Sequence, residues 1–202
     1  MTATIDRLDP SRRSEAIAAA SRAFWPDPLF GWFARDEVQE HRMLPIFLGA
    51  LVRDALPLGD VWSATIGERV VGAAAWYRPG TLPRTRRREA RIYMACARAL
   101  ATGRNRLTGL RLLDAVEKAH PTDPHWYLAL LGVDPSRQRS GLGSALLRPV
   151  LERCDECGEA AYLETQKPDN LAYYARFGFE VRDRITVGDS PPVWLLWRDP
   201  RP

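Results

Sequence analysis

The stretch Val133-Asp134-Pro135-Ser136-Arg137-Gln138-Arg139-Ser140-Gly141-Leu142-Gly143-Ser144-Ala145-Leu146-Leu147 decides the fold of this chain. It follows an apolar run, Trp126 to Leu131, and Pro135 ends that strand because proline has no backbone donor to give a sheet. Beyond the loop, Leu142, Leu146, Leu147, Val150, Leu151 and Cys154 recur at spacings of three and four, as on a helix with one buried face. The order is therefore strand, glycine loop, helix. The first N–H groups of a helix have no partner inside it, and the helix dipole adds partial positive charge there. Glycine at positions 141 and 143 removes Cβ atoms and permits positive φ, so the loop suits an anion, and a pyrophosphate in particular. A dinucleotide fingerprint would need a third glycine where Leu146 stands, and a nucleotide P-loop would need Gly-Lys-Ser/Thr. Neither is present.

Downstream, Leu163-Glu164-Thr165 is followed by Asn170 and by Tyr173-Tyr174-Ala175-Arg176-Phe177-Gly178-Phe179. The spacing Gln138-x-x-Gly141-x-Gly143 after Val133-x-Pro135 resembles the acetyl-CoA loop of the GCN5-related N-acetyltransferase (GNAT) superfamily, and the second motif follows in the order that superfamily has. Within it, Trp126 to Trp194 looks most like the puromycin N-acetyltransferases, with weaker likeness at Ala23-Phe24 and Val61-Trp62. The resemblance implies an α/β fold with a GNAT-type mixed, mainly antiparallel central sheet flanked by helices. A parallel strand pair would form the acetyl-CoA crevice. It implies acetyl-CoA as co-substrate, held by Leu131, Gly132, Val133, Gln138, Arg139, Ser140, Gly141, Leu142, Gly143, Ser144 and Asn170. In the family this strand splays from the next, and the pantetheine arm fills the gap.

The 202 residues, 46% of them hydrophobic, suit one domain spanning 1–202 with a sizeable core. No apolar run reaches transmembrane length, Met1 to Pro10 lacks the pattern of a signal peptide, and the three cysteines form no disulfide framework, so a cytoplasmic protein is expected. The net charge of +4 is mostly arginine. The densest run, Arg84 to Arg91, reads as a solvated helix face rather than a nucleic-acid patch, because no stacking aromatic interrupts it before Tyr93.

Ala3 to Leu8 reads as a first strand, with a helix from Asp9-Pro10-Ser11 to about Phe24. Trp25-Pro26-Asp27-Pro28-Leu29-Phe30 then breaks the pattern, either lining an acceptor pocket or stapling two helices. A helix from Asp36 to Leu56 is expected to kink or divide at Pro45. Val61 to Thr65 and Val70 to Tyr77 read as an antiparallel hairpin, and helices follow over Arg87 to Ala101 and Leu107 to Ala119. Trp126 to Val133, the helix from Gly143 to Cys157, and Ala160 to Thr165 form a strand-helix-strand unit with a parallel pair. Pro149 is expected to kink that helix. Asn170 to Phe177 is a short helix, and Phe179 to Val187 pairs with Val193 to Trp197, a strand buried on both faces.

The implied chemistry is attack of an amine on a thioester. An alkyl ammonium with a pKa near ~10.4 must first lose a proton to a base. Glu164, near the strand end beside the loop, is the candidate, the alternative being an acid that only pairs with a cation. Tyr174 stands four residues before Gly178, where the family carries the tyrosine thought to protonate the thiolate; Tyr173 would face elsewhere and pack in the core. Asn170 contacts the cofactor if the family pattern carries over, and otherwise caps its helix. Gly132 makes a bulge at Leu131 to Val133 plausible, exposing N–H donors for an oxyanion. Trp25, Asp27 and Phe30 are the candidate acceptor contacts, although Asp27 in a Pro-rich turn also suits bonding its own backbone.

Cys154-x-x-Cys157 matches helical spacing of buried cysteines, and His41, His120 and His125 are scattered, so no metal site is expected. The acceptor expected is a small-molecule amine, antibiotic-like or a metabolite, with no nucleic-acid or membrane partner and a monomer or homodimer as assembly. The alternatives are acetylation of a protein lysine or N-terminus, and a non-catalytic CoA-binding sensor.

Overall fold

The structure is a computed structural model and describes residues 2–58, 60–101 and 103–201. The elements run β1 (Ala3–Arg7), α1 (Arg13–Ala23), α2 (Pro28–Phe33), α3 (Glu37–Ala55), β2 (Val61–Ile66), β3 (Arg69–Tyr77), α4 (Arg86–Leu100) and α5 (Arg106–Ala119). They continue with β4 (His125–Val133), α6 (Leu142–Cys157), β5 (Ala160–Thr165), α7 (Asp169–Ala175), β6 (Glu180–Ile185) and β7 (Val193–Arg198). The seven strands form one sheet in the order β1-β2-β3-β4-β5-β7-β6. Among the described residues only β4 and β5 pair in parallel, joined through α6; the other neighbouring pairs are antiparallel. The sheet is thus mixed and mainly antiparallel, with its one parallel pair where the strand-helix-strand unit was read.

Three local expectations need correction. Trp25 to Phe30 is not simply a break: Asp27 caps α2, accepting from the N–H of Leu29 at 2.9 Å, and Pro28 sits in the first turn. Proline is tolerated there because its missing N–H would be unpaired anyway. Pro45 does not divide α3, which runs unbroken for 19 residues. The first helix opens with a 3-10 turn, Pro10–Arg12, capped by Asp9, before α1 begins.

Each sheet face is covered. On one, α6 and α7 bury Trp76, Trp126, Leu128 and Leu163. On the other, α1 and α3 bury Val70, Ala73, Tyr77 and Leu130. Fully burying such a Leu or Val side chain contributes roughly 1.5–3 kcal/mol, so these two layers hold the sheet. Farther along the second face, α5 lays Leu112 near Tyr162, Leu195 and Trp197. β7 lies between β5 and β6 and is almost wholly buried, whereas the edge strand β6 exposes Glu180, Arg182, Asp183 and Arg184. Charge on an edge discourages pairing with another chain.

The arginine run is only partly a solvated face. Arg84 precedes α4 and, with Arg88, binds Asp54 of α3 at 3.0 and 2.9 Å, while the Tyr77 hydroxyl donates to the same carboxylate at 2.8 Å. Burial pushes the Asp54 carboxyl up, but the bonds from Arg88, Tyr77 and Arg84 outweigh it and hold the group below its usual value. Arg86, Arg87 and Arg91 remain exposed.

Candidate active site

The parallel pairing of β4 with β5 covers only His125 to Leu128 against Ala160 to Leu163. Beyond Leu128 the strands part, leaving Ala129 to Val133 facing Glu164 and Thr165 across a gap. The cause lies on the other edge of β4. Its register with β3 shifts between Ala75 and Trp76, opposite Leu130 and Leu128, so Ala129 is the extra residue of a bulge. Ala129 and Leu130 accordingly both pack toward α1 and α3. The bulge is therefore not at Gly132. Gly132 instead lets α1 approach, since a Cβ there would stand 3.1 Å from Ala23 Cβ and 3.2 Å from Ala20 Cα.

A cavity of about 1580 Å³ runs through this gap. At one end lies the loop before α6. Gly141 has φ +84°, and a Cβ on it would meet nothing within 4 Å. The first bond of α6 runs from Ala145 N–H to Gly141 O, 3.0 Å, so the N–H groups of Leu142, Gly143 and Ser144 precede the helix ladder. Arg137, Arg139 and Arg176 line the same end. Open donors, a dipole and three guanidiniums fit the pyrophosphate of a CoA, and the strand gap fits its extended arm.

Leu131, Gly132, Val133, Gln138, Arg139, Gly141, Gly143, Ser144 and Asn170 all line the cavity. Ser140 and Leu142 do not. The Ser140 hydroxyl donates to the Arg137 carbonyl at 2.6 Å, and the Leu142 side chain enters the core. Gln138 fastens the loop to the strand end, its Nε2 donating to the Val133 carbonyl at 3.1 Å. Asn170 stands inside α7 rather than capping it, and donates to Thr165 Oγ1 at 2.9 Å. Tyr173 is not a plain core residue: its hydroxyl lies 2.7 Å from where a Gly143 Cβ would be.

Tyr174 packs its ring edge-on to Phe179 and lines the cavity. Burial, then the neighbouring Tyr173, pushes its phenol above the ordinary value, so it stays protonated throughout the neutral range. Of the three acceptor candidates, Asp27 and Phe30 line the cavity while Trp25 lies outside it, its ring tilted against His41 with centroids 4.8 Å apart. Asp27 is buried; its carboxyl is raised by burial and opposed by Lys167, whose Nζ lies 3.9 Å away.

Glu164 faces the α5 side of the gap. Its Oε2 accepts from the Tyr127 hydroxyl at 3.0 Å and its Oε1 from the Tyr162 hydroxyl at 2.9 Å. Burial and then the Glu164 charge push both phenols up. His120 Nδ1 approaches the same carboxylate at 3.6 Å. Sequence reading passed over these neighbours because His120, His125, Tyr127 and Tyr162 are far from Glu164 or lack a motif. The one legible sign was the two-residue offset of Tyr162 from Glu164, which puts both on one strand face.

Cys154 is buried and unpaired, its thiol pushed up by burial to about 12, and Cys157 is exposed and unpaired. Among the described residues no group of three His, Cys, Asp or Glu side chains could hold a metal ion, and no helix is long and apolar enough to cross a membrane.

Comparison with known proteins agrees with this geometry. Residues 19–179 match the model of a family described as the acetyltransferase (GNAT) family. An uncharacterized N-acetyltransferase of Schizosaccharomyces pombe is 31% identical over 81 residues, 39% of this chain and 33% of the relative. The matched stretch thus spans about a third of that relative. Among solved structures, a Corynebacterium glutamicum protein described as histone acetyltransferase HPA2 and related acetyltransferase superposes with TM-score 0.68 and 23% identity, covering 100% of this chain and 98% of its own. A Drosophila melanogaster polyamine N-acetyltransferase, described as forming N-acetylagmatine, gives TM-score 0.68 and 17% identity over 98% of this chain and 100% of its own. At these identities the superpositions show a shared fold.

Proposed function

Since the chain belongs to the acetyltransferase (GNAT) family, we propose that it transfers an acetyl group from acetyl-CoA to the primary amine of a small cationic molecule. The observation that carries this reading is the charge polarity of the cavity about the strand gap. The loop end holds Arg137, Arg139 and Arg176, suited to phosphates; the far end holds Glu89, Glu117 and Asp123, together with Asp114, which pairs with Lys118 at 2.7 Å. Three of those carboxylates act on one side chain: Tyr93 is pushed up by burial, then by Glu117, Glu89 and Asp114. Arg78 and Arg84 also line the far end, but Asp60 and Asp54 neutralise them. Walls from α4 and α5 favour a compact acceptor over an extended peptide. The likeness of Trp126 to Trp194 to puromycin N-acetyltransferases, and the polyamine substrates named for one structural relative, both support an amine of this kind.

In the proposed reaction Glu164 takes a proton from the acceptor ammonium, freeing the nitrogen to attack the thioester carbonyl. The nitrogen–carbon bond forms as the carbon–sulfur bond breaks. Tyr174 donates its phenolic proton to the departing thiolate and regains one from the newly acylated nitrogen. N–H groups of the bulged end of β4 stabilise the oxyanion. Thiol release from acetyl-CoA, measured over agmatine, spermidine, an aminonucleoside and a lysine peptide, tests the reading. Release with the cationic small amines and not with the peptide supports it; release with the peptide alone overturns it.

A further inference from the structure

One cluster has no part in the reaction so far: His120, after α5, and His125, at the start of β4. The His125 Nδ1 lies 2.7 Å from the Asp123 carbonyl oxygen, which only accepts, so Nδ1 carries hydrogen. The ring is buried and, chiefly for that reason, held below its ordinary value; His125 is therefore neutral and its Nε2 is a lone pair. That lone pair faces His120 Nε2 at 3.2 Å, so His120 Nε2 is the donor. What remains is His120 Nδ1, directed at Glu164 Oε1 across 3.6 Å. The ring is held edge-on between Tyr127 at 4.9 Å and Tyr162 at 4.8 Å, so this nitrogen keeps its aim. Glu164 already accepts from both phenols, which marks it as a carboxylate. Nδ1 of His120 is thus the one position in the array whose proton is not fixed by a partner.

We propose that His120, oriented by His125, is the reservoir for the proton that Glu164 removes from the acceptor. The ammonium N–H bond breaks and a carboxyl O–H forms; that O–H then breaks as the His120 Nδ1–H bond forms, restoring the carboxylate. The imidazolium returns the proton to water through the cavity, which both histidines line, so each turnover releases one proton. His120 acts through Glu164 and is a positioning residue. The charged and titratable groups around it are Glu117 of α5, Asp123, His125 and Tyr127 of β4, and Tyr162 and Glu164 of β5. The inference rests on Glu164 being the base.

The test is the pH profile of kcat/KM for the wild type, His120→Ala and Glu164→Gln, each with and without added imidazole, alongside acetyl-CoA affinity. For His120→Ala, a fall of about a hundredfold at neutral pH is expected. Acetyl-CoA affinity should be retained, with recovery on adding imidazole and on raising pH. A His120→Ala protein that binds acetyl-CoA normally, keeps the wild-type profile and ignores imidazole overturns the relay. If it does so while Glu164→Gln is slow, the relay alone fails; if Glu164→Gln keeps the wild-type rate, the base assignment fails with it. Should His120→Ala not fold, ¹⁵N spectra of the wild-type imidazoles decide. His125 must be Nδ1-protonated and His120 must carry hydrogen on Nε2; the opposite tautomer of His125 contradicts the relay.

Discussion

Leu128 of β4 and Leu163 of β5 are the last partners of the parallel pair β4–β5, and the site opens immediately beyond them. The bulge at Ala129 turns β4 toward β3 and α1, and α1 can follow only because residue 132 has no side chain. Gly132→Val should therefore push α1 from the strand and cost about 1–3 kcal/mol, as overpacking does. Urea denaturation measures it; a variant as stable as wild type would mean that α1 yields freely.

At Gly141 the outcome should differ. Its positive φ makes any other residue cost about 1–2 kcal/mol, yet no atom lies within 4 Å to clash with a new side chain. Gly141→Val should remain folded and lose at least about tenfold in acetyl-CoA affinity, roughly 1.4 kcal/mol, because the side chain enters the space proposed for the pyrophosphate.

Tyr174→Phe should keep acetyl-CoA affinity and lower kcat by about a hundredfold, as loss of a general acid does. The phenol, raised by burial, remains protonated at neutral pH, so the loss should be uniform there. Steady-state kinetics across pH, with calorimetry for affinity, separates this from a packing defect. Full activity would remove Tyr174 from the reaction.

The Asp54 cluster carries a stability prediction. Removing one member of a buried ion network costs about 3 kcal/mol, so Asp54→Ala should lower the unfolding free energy by that order. Because the folded-state carboxyl is held below its unfolded value, the unfolded chain binds more protons as pH falls. The stabilisation is complete above about pH 4–5 and is lost as pH drops through the lowered folded value. Wild type should lose stability in that window faster than Asp54→Ala; parallel curves would contradict the assignment.

Much of this was legible in the chain because single segments carry it. The glycine loop, the period of α6 and the apolar run of β4 each obey local rules, and so fix the parallel pair before any tertiary contact is known. Asp27 bonds its own backbone, as its Pro-rich setting suggests; what local rules do not show is that Asp27 and Pro28 also begin the next helix, the carboxylate accepting from the N–H of Leu29. The bulge was legible as a need but not as a place. Gly132 invited it on conformational grounds, whereas the register with β3 puts it at Ala129. Trp25 invited a pocket role as a bulky aromatic beside prolines, but it packs on His41. The neighbours of Glu164 were hidden because Tyr127 and His120 reach it only through the β4–β5 register and the return of α5 over the sheet. Charge pairing was equally invisible in the arginine run, where Arg84 and Arg88 serve one carboxylate from a distant helix.

The most direct measurement is calorimetric titration of the wild type and Gly141→Val with acetyl-CoA. One-to-one binding by wild type, weakened at least about tenfold in a folded Gly141→Val, is the expected result. Absence of binding by folded wild type, or equal binding by both proteins, would contradict acetyl-CoA held between the α6 loop and the parted strands.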